Sequence, residues 1–363
     1  MAELAEVFRL HGPAYLAKYR KKLLPSHRRA MWDIMLCRTE TLDGHVYRCP
    51  QCHQDRYAYH SCKNRHCPKC QNDQTDLWLA QKQALLLPVT YYMATFTLPA
   101  ELRSLVSSHQ KDLYNLLFRA SSETLQKLAK DPRFIGGTLG MLGVLQTWKR
   151  DLGYHPHIHY IIPGGGITPD GKWQPAKYDC LIPETVVAFI FRAKIRDGFK
   201  ALDLYDQVPK AVWKKNWIVD IEAVGSGQEA LKYLTPYIFR VALSNKNILK
   251  VTEKDVTFRY RDRKQPGYQI KTLPAEQFIS RFLQHVLPKG FQKVRSYGLY
   301  HPKQRGKLEV VKEQLQPQDP TPAIKVSTTK TPTAKPPVRF FCPCCRVEMV
   351  KIGKITPKRG PPI

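Results

Sequence analysis

The chain has 363 residues, 43% of them hydrophobic, which is more than one small domain needs and enough for two or three. Its 58 Lys and Arg against 30 Asp and Glu leave a formal charge of +28, spread along the whole length, and point to a polyanionic partner, most simply nucleic acid. The longest apolar runs, such as ALLLPVTYYMATFTLP, are short and interrupted, and no export signal is visible, so a soluble cytoplasmic protein with no membrane partner is expected.

Residues 3–38 carry apolar side chains at three- and four-residue spacing in two runs and predict two helices. Six of the ten cysteines fall within residues 37–72. TDLWLAQKQALLL predicts a helix running into PVTYYMATFTLP, a strand rich in aromatic and β-branched residues. LRSLVSSHQKDLYNLLFRASSETLQKLAKD predicts one or two amphipathic helices, and LGMLGVLQTWKRDLG with HPHIHYIIPGGG a pair of strands. ETVVAFIFRAKIRDGFKALDL reads as helix and NWIVDIEAVG as strand. In SGQEALKYLTPYIFRVALS, Ser226 and Glu229 stand in the S-x-x-E relation of a capping box, so a helix should start near Gly227. Residues 254–273 predict a hairpin and PAEQFISRFLQHVL another helix. From 303 to 338 the composition turns to Gln, Pro, Thr and Lys, which predicts a disordered linker before the closing FFCPCC. Strands and helices alternate through the middle, with at least four strands, and predict a layered sheet with helices on its faces.

RCPQCHQDRYAYHSCKNRHCPKCQ holds two CxxC knuckles, Cys49 with Cys52 and Cys67 with Cys70. Thiolate pairs at this spacing can close a tetrahedral zinc site, and four protein ligands leave no position open for chemistry, so the metal would be structural. Cys62 and His66 lie inside the loop, with Cys37, His45 and His60 nearby; any of them could replace a ligand or build a second site. Cys37 and His45 read more simply as a buried thiol and a surface imidazole. Cys342 and Cys345, with Cys344 between, are half of a second zinc site or else free thiols.

At residues 154–166 the chain reads YHPHIHYIIPGGG. On a strand, His155, His157 and His159 share one face, and Tyr154, Ile158 and Tyr160 the other. Most such pairs are surface or packed histidines, but His157 and His159 are also placed to share one divalent cation and leave room for substrate. Gly164, Gly165 and Gly166 would bring backbone close to a ligand or simply make a turn. Further on, Tyr233 and Tyr237 are i,i+4 on one helix face, with Glu229 a turn earlier. Alone they read as an amphipathic stripe; beside a metal, a tyrosine is a covalent nucleophile. Trp148-Lys149-Arg150, Trp213-Lys214-Lys215 and the FRYRDRK segment, with Arg259 and Arg261, mix stacking surfaces with phosphate-seeking charge and are the candidate DNA contacts.

Taken in order, SCKNRHCPKCQ, ATFTLP, HPHIHYIIPGGG, YLTPYIFRVALS and VRSYGLY resemble the HUH (His–hydrophobic–His) transposases of the insertion sequence ninety-one type over roughly residues 5 to 300. The resemblance implies an α+β catalytic domain whose antiparallel sheet, ferredoxin- or RRM-like, carries the histidines, with the tyrosine helix packed against it and a helical zinc-binding domain ahead of it. It implies His157 and His159 as ligands of a catalytic Mg²⁺ or Mn²⁺, Tyr233 and Tyr237 as nucleophiles, and zinc as the structural metal. His155, Gln228 and Glu229 are the candidate third ligands. The implied reaction cleaves and rejoins single-stranded DNA at transposon ends and target through a 5′-phosphotyrosine, in a protein associated with the nucleoid. It needs no nucleotide, in keeping with the lack of a phosphate-binding G-x-x-x-x-G-K-[ST] loop. Pro236 should kink or end the helix between the tyrosines, which makes Tyr233 the expected indispensable one. The expected domains are 1–85 (helical and zinc-binding), 86–250 (catalytic), 251–302 (basic extension), 303–338 (linker) and 339–363 (cysteine tail). The competing readings are an HUH replication initiator or relaxase, a zinc-finger DNA-binding protein without catalysis, and a hydrolytic metalloenzyme with core tyrosines. A relaxase usually places its tyrosine before the histidines; here the tyrosines follow.

Overall fold

The computed structural model describes residues 2–70, 75–177, 181–239, 242–262, 265–316 and 339–356. In chain order they form helices α1 (Leu4–Tyr19) and α2 (Pro25–Leu36), strands β1 (Gly44–Arg48) and β2 (Asp55–Tyr59), helix α3 (Thr75–Gln83), strand β3 (Thr90–Thr97), and helices α4 (Arg103–Ser108) and α5 (Gln110–Ala129). Strands β4 (Thr138–Trp148), β5 (Tyr154–Pro163), β6 (Gly165–Ile167) and β7 (Trp173–Pro175) lead to helices α6 (Glu184–Ala201) and α7 (Lys210–Lys214), strand β8 (Val219–Ser226) and helix α8 (Gly227–Phe239). Strands β9 (Ile248–Val251), β10 (Asp255–Arg261) and β11 (Tyr268–Pro274), helix α9 (Ala275–Leu283), strand β12 (Val294–Gly298), helix α10 (Arg305–Gln314) and strand β13 (Val350–Ile355) complete the order.

Contacts gather these elements into two units. The first takes described residues from Met1–Leu77, Leu243–Val286 and Pro320–Ile363. Its α1 buries Leu4, Val7 and Phe8 at three- and four-residue spacing, and Phe8 meets Phe282 of α9 edge-on at 5.6 Å. Two small antiparallel sheets belong to it, in the orders β13-β1-β2 and β11-β10-β9. The expected hairpin at 254–273 is β10 with β11, where alternation turns Val256 and Phe258 inward.

The second unit, from Trp78–Ala242 and Leu287–Asp319, is built on one antiparallel sheet in the order β7-β6-β4-β5-β3-β8, with β12 pairing the rest of the outer edge of β4. Helices cover both faces, which is why β4 and β5 read as near-continuous apolar runs. On one face, Tyr92, Ala94 and Phe96 of β3 and Ile158 and Tyr160 of β5 pack against Phe118 of α5 and Phe191 of α6. On the other, Tyr91, Leu142, Val144 and Ile161 pack against Ala230, Leu231 and Leu234 of α8 and Leu308 and Val311 of α10. Gly143 sits opposite Tyr160, where a Cβ would lie 2.5 Å from the ring. Its lack of a side chain lets Tyr160 lie under β4 and reach Ser121 Oγ at 2.8 Å. The α+β class, with an antiparallel sheet flanked by helices, is the one expected.

Three local expectations are corrected. Residues 305–314, expected within a linker, are α10: Leu308 and Val311 are three apart and bury against the sheet, a signal drowned by the polar composition around them. Residues 317–338 lie outside the described residues. The stretch expected as one extension, 251–302, is divided: β10, β11 and α9 join the first unit, and β12 extends the large sheet. Finally, α8 does not end at Pro236 but runs on to Phe239. Proline forfeits one backbone bond, while Leu234 and Ile238 on either side stay packed on the sheet and hold the turn.

Candidate active site and cysteine clusters

Strand alternation puts His155, His157 and His159 of β5 on the face that α8 covers. The rings follow one another at 4.9 and 4.7 Å between centroids, and His157 and His159 are 7% and 6% exposed. His157 Nδ1 lies 2.6 Å from the carbonyl oxygen of His155, which can only accept, so Nδ1 carries the proton and Nε2 keeps its lone pair. His159 Nδ1 is 3.0 Å from Thr95 Oγ1 on β3; donating there, it leaves its Nε2 in the same state. Two buried imidazoles side by side, each held through Nδ1, could supply two ligands of a metal site of the histidine type.

The three candidates for a third ligand fare less well. His155 is half-buried, and Arg103 donates through Nη2 to its Nδ1 at 3.0 Å. Burial, with His157, Arg103 and Lys149 nearby, pushes its pKa down to about 3. Its Nδ1 is taken, its Nε2 carries the proton, and the guanidinium beside it repels a cation. Gln228 and Glu229 stand at the wrong end of the sheet. Ser226 pairs with Thr90, five residues along β3 from Thr95, or about 17 Å at a strand's rise of about 3.4 Å per residue. Glu229 is also engaged in the expected capping box: its Oε2 accepts from Ser226 N at 2.8 Å and Ser226 Oγ at 2.9 Å. The Ser226 backbone bond, then its hydroxyl, hold that carboxyl below the usual range.

The residue that sequence reasoning missed is Gln146. It pairs directly with His157 from β4, so both side chains emerge on the same face. It is 8% exposed; its Nε2 donates to the Trp148 carbonyl at 2.8 Å, and its Oε1 is buried with no hydrogen-bond partner among the described residues. A buried amide oxygen left so is costly, roughly 1–3 kcal/mol, and a cation or a hydrogen-bond donor would satisfy it. The signal was a lone polar residue at an inward position of the apolar run TLGMLGVLQTW.

Helix α8 starts beside Thr90 and crosses this face toward the histidines. Its far end is marked by the Ile238 carbonyl, which accepts from Lys293 Nζ at 3.3 Å, while the Lys293 carbonyl accepts from Leu145 N next to Gln146. At about 1.5 Å per residue the helix is roughly 20 Å long, and Tyr233 stands at its midpoint, about 9 Å along the path toward the histidine row. Ala230, Leu231 and Leu234 bury against the sheet, and Tyr233, on the flank, is 39% exposed. The side chain of Tyr237 lies outside the described residues. Gly164, Gly165 and Gly166 serve packing: a Cβ on Gly165 would lie 2.5 Å from both the Gln174 carbonyl and the Trp173 ring.

The four cysteines expected in one site divide between two groups. Cys37, Cys62, Cys67 and Cys70 bring their sulfurs within 4.8 Å of one another, and so do Cys49, Cys52, Cys342 and Cys345. Cys37, expected as a plain buried thiol, is thus a member of the first group, and His66 is in neither. Zn–S bonds of about 2.3 Å set tetrahedral S···S edges of about 3.8 Å. The edges Cys37–Cys70 and Cys62–Cys70, at 3.4 and 3.6 Å, fit that geometry. Crowding lets the Cys37 thiolate form easily, stabilised by the Cys62 and Cys67 thiols, and pushes Cys62 up to about 12. A divalent cation resolves the crowding by letting all four ionise.

Of the candidate DNA contacts, Trp148 is half-buried with Lys293 Nζ 4.7 Å over its ring, and Lys149 and Arg150 are exposed beside it. Lys214 is exposed, but Lys215 is paired with Glu101 at 2.6 Å, and Trp213 stacks between Tyr205 and Trp217 as part of the core. Arg259 and Arg261 both lie over the exposed Tyr268 ring, at 4.7 and 5.0 Å, and form a cationic aromatic platform on the β10–β11 hairpin. Among the described residues, no helix is long and apolar enough to cross a membrane.

Two family models and two relatives match the chain. Residues 140–307 match a family model described as "Putative transposase", and residues 7–98 match one described as "Transposase zinc-binding domain". The chain is 38% identical over 317 residues to "Putative transposase y4qJ" of Sinorhizobium fredii, covering 82% of this chain and 79% of that protein. It is 25% identical over 345 residues to "Transposase for insertion sequence element IS801" of Pseudomonas savastanoi pv. phaseolicola, covering 89% and 82%. No solved structure matches.

Proposed function

The chain belongs to the IS91/IS801 family of transposases, with their zinc-binding domain, and from that premise we propose that it cuts and rejoins single-stranded DNA through a 5′-phosphotyrosine on Tyr233. The observation that carries this reading is the placement of α8: the helix with the tyrosines lies on the same sheet face as His157, His159 and the buried Oε1 of Gln146.

In this reading His157, His159 and Gln146 would hold the divalent ion. Mg²⁺ or Mn²⁺ bound there would polarise a non-bridging oxygen of the scissile phosphate. The Tyr233 hydroxyl gives up its proton to solvent and its oxygen attacks phosphorus. The P–O3′ bond breaks, the departing 3′-oxygen takes up a proton, and the 5′-phosphate stays on the tyrosine. A 3′-hydroxyl of another strand then reverses the exchange and releases Tyr233. One phosphodiester is traded for another, so no nucleotide is consumed. Thr95 orients His159, the His155 carbonyl orients His157, and burial together with Arg103 keeps the His155 ring neutral. Tyr237 serves a second cleavage while Tyr233 is occupied. Trp148, Lys149, Arg150 and the Arg259–Tyr268–Arg261 platform take phosphates and unstacked bases.

The test is cleavage and strand joining on end-labelled DNA from the element's own terminus, single- and double-stranded, with Mn²⁺. Metal-dependent cutting and joining of the single strand, lost in His157→Ala, is the expected result. Cutting of duplex alone, or cutting that His157→Ala leaves intact, would count against the reading.

A further inference from the structure

Cys49 and Cys52 sit near one end of the chain and Cys342 and Cys345 near the other. Yet Cys52 Sγ and Cys342 Sγ are 3.5 Å apart across 290 residues, and all four sulfurs lie within 4.8 Å of one another. The backbones around them repeat. In each half a C-P-x-C-x segment turns, with the Cys49 N–H bonded to the Gln54 carbonyl and the Cys342 N–H to the Val347 carbonyl. The residue after the second cysteine donates back to the first, His53 N to Cys49 O and Arg346 N to Cys342 O, both at 3.0 Å. Both of these residues sit in the left-handed region, His53 at φ 57 and Arg346 at φ 58. Non-glycine residues enter that region at a cost and keep it where surroundings enforce it. Two matching knuckles, each closing a hairpin and facing each other through four sulfurs, form the geometry of a structural tetrathiolate site.

We propose that Cys49, Cys52, Cys342 and Cys345 bind a second zinc ion, which staples the C-terminal tail onto the N-terminal hairpin. Binding exchanges four thiol protons, released to solvent, for one Zn²⁺. Cys49 and Cys342 are fully buried in a small cluster with Met349, against which Tyr47 and Phe340 pack, and Arg56 covers the Phe340 ring at 4.5 Å. The staple brings β13 alongside β1, making three strands of a two-stranded hairpin that would be marginal alone. The first quartet lies inside the zinc-binding match at 7–98, whereas neither family model reaches Cys342 or Cys345, so the second site belongs to the pairing of the two ends. Cys344 is outside it: its sulfur faces Gln54 Oε1 at 3.2 Å.

Zinc content of the purified full-length chain tests this. Two zinc ions per chain are expected, falling to one in Cys342→Ser/Cys345→Ser and staying at two in Cys344→Ser. The ion retained in the double variant reports that the first quartet is still folded. A protease recognition sequence inserted after residue 325 gives a second readout. After cleavage the tail should co-elute with the body and be released by a zinc chelator. One zinc ion in the wild-type chain, or two that the double variant keeps, would overturn the proposal, as would a cleaved tail that leaves with zinc still bound to the body.

Discussion

Around the histidines, the proposed function rests on few atoms. Thr95 touches no substrate in this account, yet its hydroxyl holds the His159 ring in place through Nδ1. Replacing Thr95 with Val should weaken Mn²⁺ binding by roughly 10–100-fold, as loss of such outer partners does, and a calorimetric Mn²⁺ titration reads it. Gln146→Ala should weaken it at least as much, while Gln146→Glu, which keeps an oxygen donor, should bind as tightly or more so. Normal Mn²⁺ affinity in Gln146→Ala would remove that residue from the site. A second residue carries a pH effect. Burial lowers the His27 pKa from 6.5 to about 4. The folded chain therefore holds His27 neutral where the unfolded chain protonates it. Its contribution is complete above pH 6.5 and is lost as pH falls from about 6.5 toward 4. His27→Gln should flatten the fall of the thermal midpoint over that window; a parallel fall in both proteins would contradict the assignment.

The helix α8 shows how an element is specified and where sequence stops short. Its start was legible because a capping box is a local device: Ser226 and Glu229 satisfy each other's backbone groups within one turn. Ser226→Ala should cost about 1 kcal/mol in urea unfolding without moving the midpoint of Mn²⁺ binding, since this cap lies at the far end of the sheet. Its continuation through Pro236 was not legible, because that depends on Leu234 and Ile238 meeting a sheet. The histidine strand was legible for the same local reason as the cap: alternation puts every second residue on one face. Gln146 was not, because only the pairing of β4 with β5 brings it opposite His157. The helix Arg305–Gln314 was hidden by the polar residues after it.

At the scale of the molecule, charge and cysteines tell opposite stories about legibility. A formal charge of +28 is a sum and can be read without a fold. It predicts DNA affinity that falls steeply with salt, and the double variant Arg259→Ala/Arg261→Ala should lower the log–log slope by about 2, uniformly across sequences. An unchanged slope would take the Tyr268 platform out of the interface. Cysteine pairing is not a sum. The spacing of Cys49, Cys52, Cys67 and Cys70 fits one site, and only three-dimensional proximity sends one pair to Cys37 and Cys62 and the other to Cys342 and Cys345.

The central claim is that a tyrosine of α8 becomes covalently joined to DNA. It is tested most directly by trapping the protein on a single-stranded element end with Mn²⁺, digesting the adduct and locating the modified residue by mass spectrometry. The account predicts a 5′-phosphotyrosine at Tyr233, absent without metal and absent in Tyr233→Phe and His157→Ala. A cleaved strand with no adduct, or an adduct on a residue outside α8, would contradict it.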